Sequence, residues 1–373
     1  MKKIFLFALL FCVLLIASGL AQVPDTVWSK YISQGLSKRI NTIKFSTDDN
    51  HLLVAGGSQL DTYIVNQFMY LIDNSSGTIT QSYNVEHPVL LADFTPTGDT
   101  IITLESDNKI KLYSTDSGQV LKTISQDLLI NSIALSPDGK KIFFTETQGF
   151  YAQQFYNAYD TINVWNIAND SIERRIPIVQ TVGNLAVNPS NSYLLYNRGY
   201  SLYKNHYTDE IHLYNFIDST DTLLGSHNSF VNFQYFSENG NRSISTSLDL
   251  HYILWNIQNK SKILDSVLVN GIVRHAIFSQ NSNYLIIADT LLNVLELDSL
   301  TLKYSYDTNQ VKGWIVYISC SHDGNHFAVA TYSMSDVKFY VYLLNAKYQS
   351  SLFKIEPIKD GKFLFREKYI FYS

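Results

Sequence analysis

Cysteine is almost absent. Of the two cysteines in the 373-residue chain, Cys12 lies in an apolar leader and only Cys320 lies beyond it. A single remaining thiol excludes an internal disulfide, so stability must come from packing. Cys320 sits in an apolar strand-like run and reads as a small buried residue, not a nucleophile. Charge is also sparse, at 16% of residues, and the balance is mildly acidic at -5. There is no basic run, so the electrostatic footprint of a nucleic-acid binder is missing. Catalytic signatures are missing too: no Gly-x-Ser-x-Gly, no His-Glu-x-x-His, no Cys-x-x-Cys and no phosphate-cradling glycine loop. His322 and His326 have the spacing of a helical metal pair, but they flank a turn and read as exposed polar residues. No metal or cofactor is expected.

What is present favours strands. Hydrophobic residues make up 46% of the chain, with 26 Tyr and 21 Phe. That composition argues against disorder and for β structure. Residues 1–21 read as a secretory signal: Lys2 and Lys3, then an apolar core from Ile4 to Ile16, then small residues up to Ala21. The apolar core is short for a membrane span of about 20 residues, so no span is expected once the signal is cut. Cleavage removes two lysines, taking 28 basic residues to 26 against 33 acidic ones, a net -7. The expected location is secreted, or periplasmic and cell-envelope, of bacterial type.

The rest of the chain repeats. The apolar residues that precede each turn are Phe45, Phe94, Leu135, Val187, Phe236, Phe278 and Cys320. Their separations by subtraction are 49, 41, 52, 49, 42 and 42 residues, close to the period of four-stranded propeller blades. Each is followed by turn formers, most clearly Ser136-Pro137-Asp138-Gly139, in which Pro presets φ, Asp bonds its own backbone and Gly accepts positive φ. A second strand follows, then a third that ends on a bulky residue: Ile72, Tyr113, Trp165, Tyr214, Trp255, Leu295 or Tyr342. An Asp lies five or six residues earlier in six units, at Asp107, Asp160, Asp209, Asp249, Asp289 and Asp336.

On these residues the chain resembles the WD-repeat β-propeller family over residues 26–355. The unit from Ser136 to Trp165-Asn166 carries the pattern best. The unit at 225–257 adds Gly225-Ser226-His227 with Ser247, Asp249 and Trp255. The resemblance implies that this one unit holds the family's hydrogen-bonded His, Ser/Thr, Asp and Trp set. The expected fold is all-β: a propeller of four-stranded blades, seven favoured and eight possible. The segment Val27–Ile32 stands where a fourth strand belongs and is expected to close the ring. Domain boundaries are read as 1–21 signal peptide, 22–355 propeller and 356–373 C-terminal hairpin completing or extending the last blade.

Two features suggest ligand binding. The segments joining second and third strands are long in units one, three and four. Those of neighbouring units three and four carry Tyr151, Phe155, Tyr156 and Tyr159, and Tyr200, Tyr203 and Tyr207, an aromatic set suited to a binding face; they would serve equally to cover the rim. Polar residues also recur near the starts of the innermost strands, at Asn131, Asn184, Asn232 and Arg274, together with Asn41. They would ring the channel mouth, or simply suit a chain turning into a strand. The expectation is an exported non-enzymatic scaffold binding a protein, peptide or glycan through the Tyr-rich face, as the resemblance implies. The alternative is a lactonase-like or quinoprotein-like propeller enzyme, which would need carboxylates or histidines converging on the channel.

Overall fold

A computed structural model describes residues 26–34, 39–58, 67–147, 159–199, 208–267, 275–288, 292–299, 301–306 and 313–345. The signal segment 1–21 and the hairpin 356–373 lie outside them. The architecture follows from one local device repeated seven times. The residue after each apolar anchor is Ser46, Thr95, Ser136, Asn188, Ser237, Ser279 or Ser321, and each is buried. In each case its side-chain oxygen accepts the backbone N–H five residues on, as in Ser46 to His51 at 2.9 Å, Ser136 to Lys141 at 2.8 Å and Asn188 to Tyr193 at 2.7 Å. Three residues beyond that polar residue, the backbone turns left-handed at Asp49, Gly98, Gly139, Asn191, Gly240, Ser282 and Gly324. Glycine holds four of those places because it has no Cβ to resist positive φ. The turn reverses the chain tightly, so a second strand pairs antiparallel with the first.

The strands form seven four-stranded antiparallel sheets. Blades 1 to 6 occupy residues 40–82, 89–125, 133–179, 181–227, 231–267 and 275–306. Blade 7 takes three strands from 314–345 and its outermost strand from the start of the described chain, Thr26–Gln34. That strand pairs antiparallel with Lys338–Asn345, Ser29 opposite Tyr342 and Tyr31 opposite Tyr340. Trp28 Nε1 also donates to Asn74 O at 2.7 Å, and Lys30 Nζ to Gly77 O at 2.9 Å, both on blade 1. The ring is thus closed by pairing its last sheet with its first strand, covering an edge that would otherwise be open. All seven anchors end their innermost strands, as the period predicts, and the blade count is seven.

The core is a ring as well. Seven apolar clusters are present, one at each blade–blade interface. The cluster between blades 7 and 1 joins Ile43, Leu52 and Ile72 to Val341 and Leu343. Burial comes from face-to-face blade packing, so each blade depends on both neighbours. The bulky residue at the end of the third strand has a specific place: a register shift immediately precedes Ile72, Tyr113, Trp165, Trp255 and Leu295. A bulge there bends the outer strand and strengthens the blade's twist.

Where the last strand of blade 4 meets blade 5, polar residues of both join into one chain. Trp255 Nε1 lies 2.9 Å from Ser245 Oγ, Ser245 Oγ 2.8 Å from His227 Nε2, and His227 Nδ1 3.2 Å from Asp249. Tryptophan can only donate and a carboxylate can only accept. A neutral His227 therefore carries its proton on Nδ1 and receives the serine hydroxyl on Nε2. The serine is Ser245, where the sequence pointed to Ser247; Ser247 Oγ instead accepts the Asp249 N–H at 3.1 Å. Both serines share one face of their strand, so alternation does not separate them.

Candidate functional site

The amides predicted to ring the channel mouth sit where the innermost strands are irregular. Register shifts fall between Ile40 and Thr42 and between Val231 and Phe233, so Asn41 and Asn232 are the extra, bulged residues. Asn184 lies within the shift between Val182 and Leu185. The amides of Asn41 and Asn184 reach across to the next blade. Asn41 Nδ2 donates to Val89 O at 2.8 Å and to Gly57 O at 3.0 Å. Asn184 Nδ2 donates to Val231 O at 3.1 Å and Asn232 O at 3.2 Å. Asn184 thus uses both amide hydrogens on blade 5, which gives it an inter-blade role. Asn131 is exposed, and its backbone N–H donates to Thr145 Oγ1 at 3.1 Å. Arg274 lies outside the described residues.

Of the aromatic set, Tyr151, Phe155, Tyr156, Tyr200, Tyr203 and Tyr207 lie outside the described residues. The backbone of Tyr159 pairs with Val179. The segments that carry this set join second and third strands, as expected: one runs from Thr147 to Tyr159 and the other from Gly199 to Asp209. That places their ends on the same face as the segments leading into each new blade. Bonds between the two kinds of segment confirm the pairing of faces: Leu248 N–H donates to Phe230 O and Thr147 N–H to Leu129 O, each at 2.9 Å.

Of the expected Asp residues, Asp160, Asp209 and Asp249 serve this same face, and Asp289 lies outside the described residues. Asp160 accepts the Val182 N–H and Asp209 the Val231 N–H, each at 2.7 Å and each from the next blade. Burial nonetheless pushes both carboxyls above their ordinary range. Asp249 accepts the Asn228 N–H at 2.7 Å. Burial pushes its carboxyl up, but the bonds from Asn228 and His251 and the nearby His227 outweigh that and hold it low.

The two faces of the ring differ in exposed apolar surface. On the loop face, Leu128, Leu129, Phe230, Leu248, Leu250, Trp314, Met334 and Val337 are exposed. On the opposite turn face, Ile217 in the turn after residue 215 is the exposed large apolar side chain among the described residues. The remainder lie on the strands themselves, chiefly the outermost ones. Apolar exposure concentrated on one face marks an interaction surface better than scattered residues do.

The channel holds polar groups that the sequence reading did not expect. Beyond the bulge, residues one and three places before each anchor face inward, and these positions hold Lys44, Asp93, Phe233, Tyr235, His275 and Tyr317. Lys44 Nζ pairs with Asp93 Oδ2 at 2.8 Å and lies 5.5 Å from the centre of the Tyr235 ring. Burial works to lower the Lys44 pKa, but the neighbouring Asp93 carboxylate outweighs it and holds the ammonium well above its usual range. Tyr235 and Tyr317 hydroxyls are 3.4 Å apart, and the His275 ring packs 4.0 Å from Phe233 and 4.1 Å from Tyr317. Burial and then the Lys44 charge depress the His275 pKa far below normal, so the imidazole is neutral. Alternation from the anchor would have found these residues; counting four places back instead meets the bulge, where alternation breaks.

Cys320 lies at the far end of this channel. Its thiol is pushed up to about 12 by burial and stays protonated. His322 Nδ1 bonds Asp49 Oδ1 at 2.9 Å, joining the first turns of blades 7 and 1. No protein-family model matches this chain, and no curated protein matches it.

Proposed function

We propose that this chain is an exported WD-type propeller that binds a protein or peptide partner through its loop face. The observation that carries this reading is the asymmetry of apolar exposure, with Phe230, Leu248 and Leu250 of blade 5 and Trp314, Met334 and Val337 of blade 7 on one face. Aromatic and large aliphatic side chains of this kind dominate the cores of protein interfaces. The segments bearing Tyr151 to Tyr159 and Tyr200 to Tyr207 begin and end on that face and would extend the surface. The Trp255–Ser245–His227–Asp249 chain supports WD-type blades, as do the serine-capped turns. Fold alone assigns no function; the exposed apolar surface supports this one.

A catalytic reading draws on Lys44, Asp93 and His275, which line the same recess. Binding fits their state better. Lys44 is paired, and among the described residues neither His275 nitrogen has a hydrogen-bond partner to orient it, whereas a catalytic base needs both orientation and a pKa near neutrality.

The test is affinity capture from native envelope and culture fluid with four forms of the mature chain. These are wild type, Phe230→Ser with Leu250→Ser, the triple change Tyr156→Ala, Tyr203→Ala and Tyr207→Ala, and Ile217→Ser on the opposite face. The expected result is a partner held by wild type and Ile217→Ser and weakened about tenfold or more by both loop-face variants. Equal capture by all four would move the site elsewhere.

A further inference from the structure

On the turn face, opposite the surface just discussed, the channel opens between Glu238, Pro137 and Pro189. It encloses about 350 Å³, and a recess of about 260 Å³ adjoins it. Both are walled by Lys44, Asp93, Tyr235 and Tyr317. Clefts for small organic ligands start near about 300 Å³, so the space suits a small molecule. We propose that this channel binds a neutral polyhydroxylated ligand, a mono- or disaccharide.

Charge comes first. The Lys44 ammonium and the Asp93 carboxylate are already paired at 2.8 Å, and Glu238 adds a second carboxylate at the mouth. An anionic ligand would meet Asp93 and Glu238, and a cationic one would meet Lys44. A neutral ligand avoids both penalties.

Hydrogen-bonding capacity points the same way. Lys44 can only donate and Asp93 can only accept, while each phenol can do both. Burial lifts the Tyr235 pKa well above its ordinary value, so its hydroxyl stays protonated. His275 is 1% exposed and lines the recess; among the described residues neither ring nitrogen has a hydrogen-bond partner, and both are closed off from solvent. The ligand's polar partners are therefore the ammonium, the carboxylate and the phenols. Hydroxyl groups donate and accept at one atom and match every member of the set.

Shape supplies the third argument. Phe233 and Tyr235 stack at 6.2 Å with their planes 12° apart. Both line the channel and present an apolar wall. A sugar ring has C–H groups for that wall and hydroxyls for the ion pair, with aromatic contact adding to area burial.

Saturation-transfer NMR tests this on the mature chain. The probes are glucose, galactose, mannose, N-acetylglucosamine, maltose and cellobiose at millimolar concentration, with acetate and betaine as charged probes. Variants are Asp93→Asn and the nearly isosteric Tyr235→Phe, each checked for folding by circular dichroism, with Phe230→Ser on the loop face as control. Support is saccharide saturation that Tyr235→Phe and Asp93→Asn weaken about tenfold, the cost of one or two lost hydrogen bonds, and that Phe230→Ser leaves unchanged. The proposal falls if no sugar saturates, which makes water the occupant. It also falls if acetate or betaine binds in place of sugars, or if folded Tyr235→Phe binds every sugar as wild type does.

Discussion

Ser245 is the junction of the hydrogen-bond chain that links blade 5 to His227 of blade 4, and Ser245→Ala is the sharpest test of that link. The serine oxygen lies 2.9 Å from Trp255 Nε1 and 2.8 Å from His227 Nε2. Ser245 and Trp255 are fully buried and His227 is 1% exposed, so water cannot replace the lost hydroxyl. Truncation strands one buried donor and one buried acceptor. Each costs about 1–3 kcal/mol when left unpaired, which makes about 3 kcal/mol a reasonable central expectation. Ser247→Ala is the matched control, because Ser247 is equally buried but accepts one backbone N–H at 3.1 Å. One ordinary hydrogen bond contributes about 1 kcal/mol. Thermal unfolding followed by far-ultraviolet circular dichroism reads both. At about 2 °C per kcal/mol for a domain of this size, the Tm of Ser245→Ala should fall about 6 °C and that of Ser247→Ala about 2 °C. In a Trp255→Phe background, Ser245→Ala should cost less, because the stranded indole N–H is already gone. Equal costs for the two serines would refute the chain as drawn.

Blade 2 carries a buried ion pair in which Glu105 accepts from Lys111 Nζ at 2.9 Å and Tyr113 Oη at 2.6 Å. Glu105→Ala leaves that ammonium buried and should cost about 3–5 kcal/mol by urea unfolding; a loss below about 1 kcal/mol would mean Glu86, 3.8 Å from Lys111, replaces it. In blade 4, burial raises the Asp221 pKa, but the bond and charge of His212 and the bond from Tyr196 outweigh it and hold it low. A depressed folded pKa adds stability above the unfolded value near about 4, and that stability is lost as pH falls through the folded value. Asp221→Asn should therefore flatten the acid limb of a urea-midpoint profile; a wild-type slope would show that His212 does not act on it. Trp28→Ala removes the indole bond to Asn74 and the packing on Gly77. It should raise hydrogen exchange in the closing strand Thr26–Gln34 more than in blade 4, and uniform change would argue against closure at that strand.

The fold was legible because each repeat writes its own punctuation. Ser136-Pro137-Asp138-Gly139 and its six counterparts encode the same buried cap and left-handed residue, so period and turn chemistry agree. The closing strand was legible from its place upstream of the first innermost strand and from the ring closure that the family resemblance implies. The channel was harder to read. A bulge at Asn41 and Asn232 breaks the alternation on which inward-facing residues are counted. Asp93 and His275, far apart in sequence, line one recess because the ring gathers their innermost strands around a common channel. Ser245 was missed for another reason. It and Ser247 share a strand face, and the choice between them rests on where His227 and Trp255 arrive from other strands.

The central claim is that the loop face is the working surface. Hydrogen–deuterium exchange of the mature chain, with and without its captured partner, tests it most directly. The account predicts new protection at residues 228–230, 248–250, 313–314 and 334–337. Protection confined to the turn face, at residues 46–50, 136–140 and 237–241, would contradict it.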